Sequence, residues 1–179
     1  MNFKKLKNPK TDLYLDFKNQ ILSAQFDWVY SGTVKPESKD TYDEEYGKYS
    51  MYSHPLLSRP TDERLFSLPE SQQLYKFNNI LLEIFNYNNF TWKDFSVMLR
   101  ANVNAVHPQV GKVKYCIPHV DHPCPHKNML IYLTDAGGST FTEGEEFVPE
   151  EDDIVIFQGI HWHKLPELKR RVVLVMTYI

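Results

Sequence analysis

Three side chains late in the sequence could bind one divalent metal ion. His119 and Asp121 form a His-x-Asp pair, and a second imidazole comes from the segment Phe157-Gln-Gly-Ile-His161-Trp-His163. In an extended chain, residues i and i+2 project from the same face, so His119 and Asp121 can reach one ion together. Two imidazoles and one carboxylate fill half of an octahedral coordination sphere and leave three positions open for other ligands.

Arg171 adds a fixed positive charge eight positions beyond His163 (171 − 163). Its guanidinium stays protonated and can hold a carboxylate through two parallel hydrogen bonds. Such a cation beside a half-open metal site suits 2-oxoglutarate, which chelates a metal at one end and carries a distal carboxylate at the other. These residues therefore predict the chemistry of a non-haem Fe(II) oxygenase, in which a keto acid and O₂ share the open positions.

The segment from Arg100 to Ile179 resembles the catalytic core of the Fe(II)/2-oxoglutarate-dependent dioxygenases, and within them the prolyl-4-hydroxylase-like proteins of marine phages and bacteria. The resemblance lies in the order and spacing of short motifs. These are Pro118-His-Val-Asp-His-Pro123, Pro125-His-Lys127, Ile131-Tyr-Leu-Thr-Asp135, Gly138-Ser-Thr140, Val148-Pro149, Ile154-Val-Ile-Phe-Gln-Gly159 and Arg171.

The resemblance implies Fe(II) as the metal, 2-oxoglutarate and O₂ as co-substrates, and hydroxylation of an unactivated C–H bond in peptidyl proline or a small molecule. It assigns His119, Asp121 and His163 to iron binding and catalysis, and Arg171 to the distal carboxylate of 2-oxoglutarate. Similar enzymes place a hydrogen-bonding side chain near the position of Tyr132. We expect Tyr132 either to contact that carboxylate or to be a buried tyrosine whose hydroxyl is satisfied within the protein.

Arg100 and Asn102 lie on the polar side of a predicted strand. From there they either line the 2-oxoglutarate cavity or face solvent.

Two ways of counting residues along the sequence select different histidines as the second imidazole ligand. In the family that this sequence resembles, the distal histidine commonly follows the aromatic residue of the preceding strand by six positions, and Phe157 plus six is His163. Counting back from Arg171 by the usual interval selects His161 instead. We expect His163, because a turn before Arg171 can lose two residues more easily than a strand can change its length.

Composition is typical of one globular enzyme domain. The chain has 179 residues, a net charge of −3 and a pI of about 6.2, so we expect a single domain over residues 1–179 with no general attraction to nucleic acid or membrane. No apolar window reaches the roughly 18 residues of a membrane span, and no secretory signal is evident. We expect a cytoplasmic protein with a small-molecule or peptide substrate. The sequence does not indicate an oligomeric state.

Hydrophobic periodicity predicts an α+β fold: a double-stranded β-helix (jelly roll) core over about 95–179, buttressed by the helices of a preface over about 1–94. Helical spacing of apolar residues predicts helices over 12–24 and 70–87, and period-two alternation begins at Phe95. The predicted strands are 26–30, 95–103, 112–117, 129–133, 140–142, 153–157 and 171–178. Asp135-Ala-Gly-Gly138 is typical of a hairpin turn.

Residues 35–64 have weak periodicity, which predicts an ordered lid or a long loop. Tyr42, Tyr46, Tyr49 and Tyr52 would let such a lid face a substrate, whereas a loosely packed surface loop is the alternative.

Three other interpretations remain open. Cys116 and His119, with His122, Cys124 and His126 close behind, have ligand types that zinc prefers. Buried apolar side chains are the simpler explanation of the two cysteines. The segment His161-x-His163-x-x-x-Glu167 is similar to half of a cupin metal motif, which would indicate an isomerase or epimerase. A non-catalytic jelly-roll binding module is the third interpretation.

Overall fold

The computed structural model describes residues 3–31, 44–47, 49–91 and 93–179, and these residues form mostly β-sheet with two helices. The helices are α1 (Asp12–Leu22) and α2 (Gln73–Tyr87). The strands are β1 (Lys4–Leu6), β2 (Val29–Ser31), β3 (Tyr46–Gly47), β4 (Met51–Ser58), β5 (Leu68–Pro69), β6 (Met98–Val106), β7 (Tyr115–Cys116), β8 (Lys127–Tyr132), β9 (Thr140–Thr142), β10 (Glu145–Phe147), β11 (Ile154–Gln158), β12 (His161–His163) and β13 (Arg171–Tyr178).

Most strands of the second half are divided between two sheets, with β8, β11 and β13 in one and β9, β10 and β12 in the other, as in a jelly roll. The large sheet has the order β1-β11-β8-β13-β6-β4-β2, with β5 paired to β4, and the small sheet has the order β10-β9-β12. Two isolated bridges, Tyr115↔Lys164 and His119↔His161, tie the segment around β7 to the small sheet. The described strands do not close into one continuous barrel, since the large sheet, the small sheet and the two-stranded sheet of β3 and β7 remain separate.

Both helices contribute to the hydrophobic cluster on one face of the large sheet. Thr11 caps α1 by accepting a hydrogen bond from the backbone N–H of Tyr14. The buried apolar residues of each helix recur at helical spacing, and they share one cluster with inward residues of the sheet strands. Members of this cluster include Tyr14, Phe17, Ile21, Phe77, Ile80, Ile84, Ala101, Val103, Met129, Ile131 and Leu174. Burying one such Ile or Phe side chain contributes roughly 1.5–3 kcal/mol.

Strand β6 separates the hydrophobic cluster from a cavity. Ala101 and Val103 are fully buried in the cluster, whereas Arg100, Asn104 and Val106 line a cavity on the opposite face of the sheet. The polar side of this strand therefore does not face bulk solvent.

The segment 35–64 differs from the sequence-based expectation, because β4 makes it part of the large sheet rather than a lid or loop throughout. Met51 pairs with Val106 of β6, and the register shifts between Pro55 and Leu57. This irregularity at a proline weakens the period-two signal by which a strand is recognised in sequence. The preface is also not purely helical, since β1, β2 and β4 join the large sheet. Residues 35–43, including Tyr42, lie outside the described residues.

The predicted hairpin turn Asp135-Ala-Gly-Gly138 instead connects the two sheets. It joins β8 of the large sheet to β9 of the small sheet, and these two strands do not pair with each other. In a jelly roll the chain crosses between sheets here, so a turn signal alone does not identify a hairpin. Neither α1 nor α2 has the length and apolar character that crossing a lipid bilayer requires.

Candidate active site

A cavity of ≈ 520 Å³ lies between the two sheets. Its wall on the large sheet includes alternate residues of β6, β8 and β13, and its opposite wall contains His119, Asp121, His161 and His163. This volume is within the range of small-molecule sites. The structure therefore brings the predicted metal-binding residues to the wall of one cavity.

Three imidazoles cluster on the small-sheet side of this cavity. His119, His161 and His163 each offer one ring nitrogen, and these atoms all lie within 4.8 Å of one another. His161 and His163 share a face of β12 because they are two positions apart in a strand. His119 faces His161 across an isolated antiparallel bridge, with ring centroids 4.5 Å apart. His163, which the sequence analysis favours, and His161, its alternative, are thus both near His119.

Asp121 places its carboxylate next to His161. Its Oδ2 lies 3.6 Å from His161 Nε2, and its Oδ1 accepts a hydrogen bond of 3.0 Å from Arg100 Nη1. Burial by itself would raise the pKa of Asp121, but the positive charge of Arg100, with smaller effects from nearby groups, holds that pKa below its usual range. The carboxylate is therefore ionised at neutral pH.

The protonation states around Asp121 suit a divalent cation. The pKa of His161 is lowered to about 4, mainly by burial and secondly by the proximity of His119. The pKa of His163 is lowered well below its usual value, mainly by burial and secondly by the proximity of His161. Neutral imidazoles beside an ionised carboxylate offer lone pairs without competition from protons at pH 7. This donor set fits Fe(II).

His163 has hydrogen-bond partners that His161 lacks. Its Nδ1 lies 2.8 Å from Thr140 Oγ1, and that hydroxyl lies 2.6 Å from the Tyr132 hydroxyl. Its backbone N–H donates to Cys116 Sγ at 3.0 Å. One ring nitrogen of His163 is thus engaged by a buried chain of hydroxyls, which fixes the orientation of the ring.

Arg171 reaches the same cavity from the start of β13 and is 3% exposed. Its Nη1 donates to the carbonyls of Gly138 at 2.7 Å and Lys164 at 2.9 Å. Its Nε is buried and has no hydrogen-bond partner among the described residues. A carboxylate bound in the cavity would satisfy that donor, so the site fits the distal end of 2-oxoglutarate.

The remaining predicted residues differ in whether they line the cavity. Tyr132 lines the cavity, but its hydroxyl already contacts Thr140. Arg100 lines the cavity beside Asp121, whereas Asn102 supports Arg100 through its amide oxygen, 2.9 Å from Nη2, when the amide is oriented for that contact. Asn102 is not among the residues that line the cavity.

Sequence reasoning missed three residues of the site. Arg59 donates to the backbone carbonyl of Asp121 at 3.1 Å, but it follows a strand in the segment that was expected to be a lid or a long loop. Thr140 was predicted only as a strand residue. Asn128 lines the cavity and is 1% exposed, yet neither polar atom of its amide has a partner among the described residues. A polar residue on the inward side of β8 was the available signal for Asn128.

The zinc and cupin motifs do not assemble into metal sites. Cys116 is buried against the backbone of His163, whereas Cys124 is exposed, and neither belongs to the histidine cluster found among the described residues. Glu167 pairs with Lys164 at 2.7 Å, and its side chain is 70% exposed. It therefore does not join the neighbouring histidines in a cupin-like set.

Comparison with known proteins identifies the fold. No protein-family model matches this chain, and no curated protein does either. An oxidoreductase of the 2OG-Fe(II) oxygenase family from Burkholderia pseudomallei matches with a TM-score of 0.60 and 12% identity, over 96% of this chain and 92% of its own. A Trichoplax adhaerens prolyl hydroxylase, solved with a peptide fragment of the hypoxia inducible factor oxygen degradation domain, matches with a TM-score of 0.56 and 13% identity, over 99% and 83%.

A third similar structure is SnoN, a non-haem α-ketoglutarate-dependent epimerase from nogalamycin biosynthesis, with a TM-score of 0.58 and 12% identity over 99% of this chain and 77% of its own. The resemblance to 2-oxoglutarate oxygenases and prolyl hydroxylases, inferred from the motifs, is confirmed at the level of fold, and the narrower likeness to phage proteins stays a prediction. The chain has the fold of the 2OG-Fe(II) oxygenases.

Proposed function

We propose that this protein is an Fe(II)- and 2-oxoglutarate-dependent dioxygenase that hydroxylates an unactivated C–H bond. The observation that carries the proposal is the pairing of His119 with His161 beside ionised Asp121, in a cavity that also contains the unpaired Nε of Arg171. Metal donors of this kind and a buried cation in one small cavity match the needs of a keto-acid chelate.

The proposed metal ligands are His119, Asp121 and His161. This set differs from the expectation that named His163, and the position of Asp121 is the reason. The Asp121 carboxylate lies beside His161 Nε2, at 3.6 Å, and His161 is paired directly with His119. His163 would then orient ligands in the cavity while His161 completes the metal face.

Arg171 would hold the distal carboxylate of 2-oxoglutarate, and Fe(II) with this co-substrate and O₂ would supply C–H oxidation with succinate and CO₂ as co-products. The chain's own part is positioning and exclusion of water. Leu130, Val173 and Val175 give the cavity an apolar wall. Arg100 holds one oxygen of Asp121 and leaves the other oxygen turned towards His161. Such a fixed arrangement limits the reorganisation that metal binding requires.

The test is an anaerobic titration of purified protein with Fe(II) and 2-oxoglutarate, followed by admission of O₂. We expect a weak visible charge-transfer band that needs all three of protein, metal and keto acid, and then formation of succinate. A protein that binds Fe(II) but gives neither the band nor succinate would contradict the proposal and favour a non-catalytic module. The T. adhaerens relative binds a peptide, so peptides and small molecules are both appropriate as hydroxyl acceptors in the assay.

A further inference from the structure

Two arginines converge on the single carboxylate of Asp121 at the cavity opening. Arg100 Nη1 lies 3.0 Å from Asp121 Oδ1, and Arg59 Nη2 lies 3.9 Å from the same oxygen. Arg59 also donates to the backbone carbonyl of Asp121. Two guanidinium groups therefore share one carboxylate oxygen.

The cavity carries an excess of positive charge. Among the described residues that line it, the charged side chains at neutral pH are Arg59, Arg100, Arg171 and Asp121. A bound divalent metal would add two further positive charges and would draw on the charge of Asp121. A 2-oxoglutarate dianion would bind at Arg171 and at the metal. The two arginines at the opening would then have no bound anion beside them.

The arrangement at the opening costs free energy unless an anion compensates it. The side chain of Arg100 is only 16% exposed. The Arg59 side chain is 45% exposed, so it lies where an incoming molecule can reach it. Both terminal nitrogens of Arg100, in contrast, are already engaged, one by Asp121 and the other by the reoriented amide of Asn102.

An unsatisfied polar group lies at the same end of the cavity. Thr177 of β13 pairs with Asn128 on one side and with Arg100 on the other, so the three residues share one face of the sheet. Asn128 is 1% exposed, and both amide atoms lack a partner among the described residues. A buried amide without a partner is destabilising by roughly 1–3 kcal/mol, which indicates that a polar ligand group belongs there.

We propose that Arg59 binds a carboxylate of the substrate, with Arg100 contributing its charge and Asn128 bonding a second polar group. The substrate is then a small carboxylic acid with a further hydrogen-bonding group, such as a free amino acid, rather than a residue inside a peptide chain. This inference rests on the proposed function. Because Arg59 adjoins Asp121, the carbon that reacts lies within a few bonds of the carboxylate.

The experiment compares benzoate with benzamide, which share shape but differ in charge, by ligand-observed saturation-transfer NMR. The protein carries Zn(II), which cannot turn over, and saturating 2-oxoglutarate occupies the Arg171 end of the cavity. We expect benzoate to bind at least several-fold more tightly than benzamide, and Arg59→Gln to weaken benzoate binding several-fold, to a limit of about tenfold. Arg59→Lys, which retains the charge, should lose less.

Lys76→Gln is the matched control, because Lys76 is an exposed cation on α2 whose Nζ contacts Gln20. Equal binding of benzoate and benzamide by the parent, or benzoate binding that Arg59→Gln leaves unchanged, overturns the inference. Thermal unfolding of each variant checks that it is folded.

Repeating the benzoate titration without Zn(II) and 2-oxoglutarate, beside the anaerobic titration with Fe(II) and 2-oxoglutarate described above, separates the two proposals. If benzoate binds through Arg59 but no keto-acid chelate forms, the proposed function fails while the anion site stands. If the chelate forms but benzoate shows no preference, only the substrate class is wrong.

Discussion

His119 and His161 are hydrogen-bonded to each other through both backbone groups. Each N–H donates to the carbonyl of the other residue at 3.0 Å, and this bridge ties the segment after β7 to β12. Directly opposed residues of an antiparallel pair project from the same side. The bridge therefore aims both rings into the cavity, and the next inward residue after His119 is Asp121.

This pairing predicts which histidine binds the metal. His161→Ala should weaken Fe(II) or Co(II) affinity by at least about 100-fold, since even residues that only hydrogen-bond to a metal ligand are worth roughly 10- to 100-fold. His163→Ala should stay within about tenfold of the parent and act mainly on 2-oxoglutarate binding. Anaerobic metal titrations of the two variants, read from Co(II) visible absorption, measure the ranking. The reverse ranking would return the second imidazole to His163, as the count from Phe157 predicts.

Asp121→Asn should remove most metal affinity, because it replaces the anionic ligand by a neutral amide of nearly equal size. It should also lower the free energy of unfolding of the metal-free protein by roughly 1–3 kcal/mol, since buried Arg100 loses a charged partner. Asp135→Asn is the control, because Asp135 is 67% exposed and lies 3.7 Å from Lys169. Urea denaturation should show a change of no more than about 1 kcal/mol for that control. Metal binding by Asp121→Asn at the parental affinity would exclude Asp121 as a ligand.

Arg171→Gln should raise the 2-oxoglutarate concentration needed for half-maximal chelate formation about tenfold or more, because a charge-assisted contact to a buried carboxylate is worth roughly 1.5–3 kcal/mol. Arg170→Gln is matched in chemistry, but Arg170 lies over the Trp28 ring, with Cζ 5.8 Å from its centroid. The control should retain the parental requirement. Equal effects of the two substitutions would place the anion elsewhere.

Gly138 holds Arg171 in position by leaving room for it. Its φ is +81°, and a Cβ there would lie 2.7 Å from Arg171 Nη1 and 2.7 Å from the Lys164 carbonyl oxygen. Gly138→Ala should therefore displace the guanidinium and raise the 2-oxoglutarate requirement, in addition to its backbone strain. Gly137→Ala has a similar φ of +67° but no atom within 4 Å of its Cβ, so it should cost stability alone. Anaerobic 2-oxoglutarate titrations distinguish the two, and a Gly138→Ala protein with unchanged affinity would rule out this positioning role.

The metal-free protein should lose stability as the pH falls from about 6.5 towards 4. Burial is the main reason that the pKa of both His161 and His122 is lowered to about 4. Below pH 6.5 the imidazoles of the unfolded chain take up protons, whereas the same imidazoles in the folded protein do not. Lower pH therefore stabilises the unfolded state relative to the folded state. Asp121, whose folded-state pKa is also lowered, loses its contribution at still lower pH.

The check is a series of urea denaturation curves between pH 7 and pH 4.5. His122→Gln should show a shallower decline in the free energy of unfolding than the parent, whereas exposed His107→Gln should follow the parent. A parent whose stability rises over that range would contradict buried, neutral histidines.

Local patterns in the sequence were enough to predict most of the elements that carry the site. The apolar stripes of α1 and α2, and the alternation that leads into β6, are properties of consecutive residues, so they predict helices and strands before any packing is known. Strand β4 was not predicted because Pro55 and a register shift interrupt the alternation of its inward and outward residues. The turn before Gly138 was recognised, but the two sheets that it connects were not, since strand partners lie far apart in sequence.

The sequence by itself determined the residue types of the site: a His-x-Asp pair, two candidate imidazoles and an arginine at the start of the last strand. Only the tertiary structure decided which of these side chains meet. His161 and His163 share one face of a strand, so periodicity cannot separate them, whereas the bridge to His119 and the neighbouring carboxylate of Asp121 are the basis for proposing His161. Arg59 joins the site only because β4 pairs with β6 in the large sheet. Strand register is a long-range property, set by packing against a distant partner, and no local pattern encodes it alone.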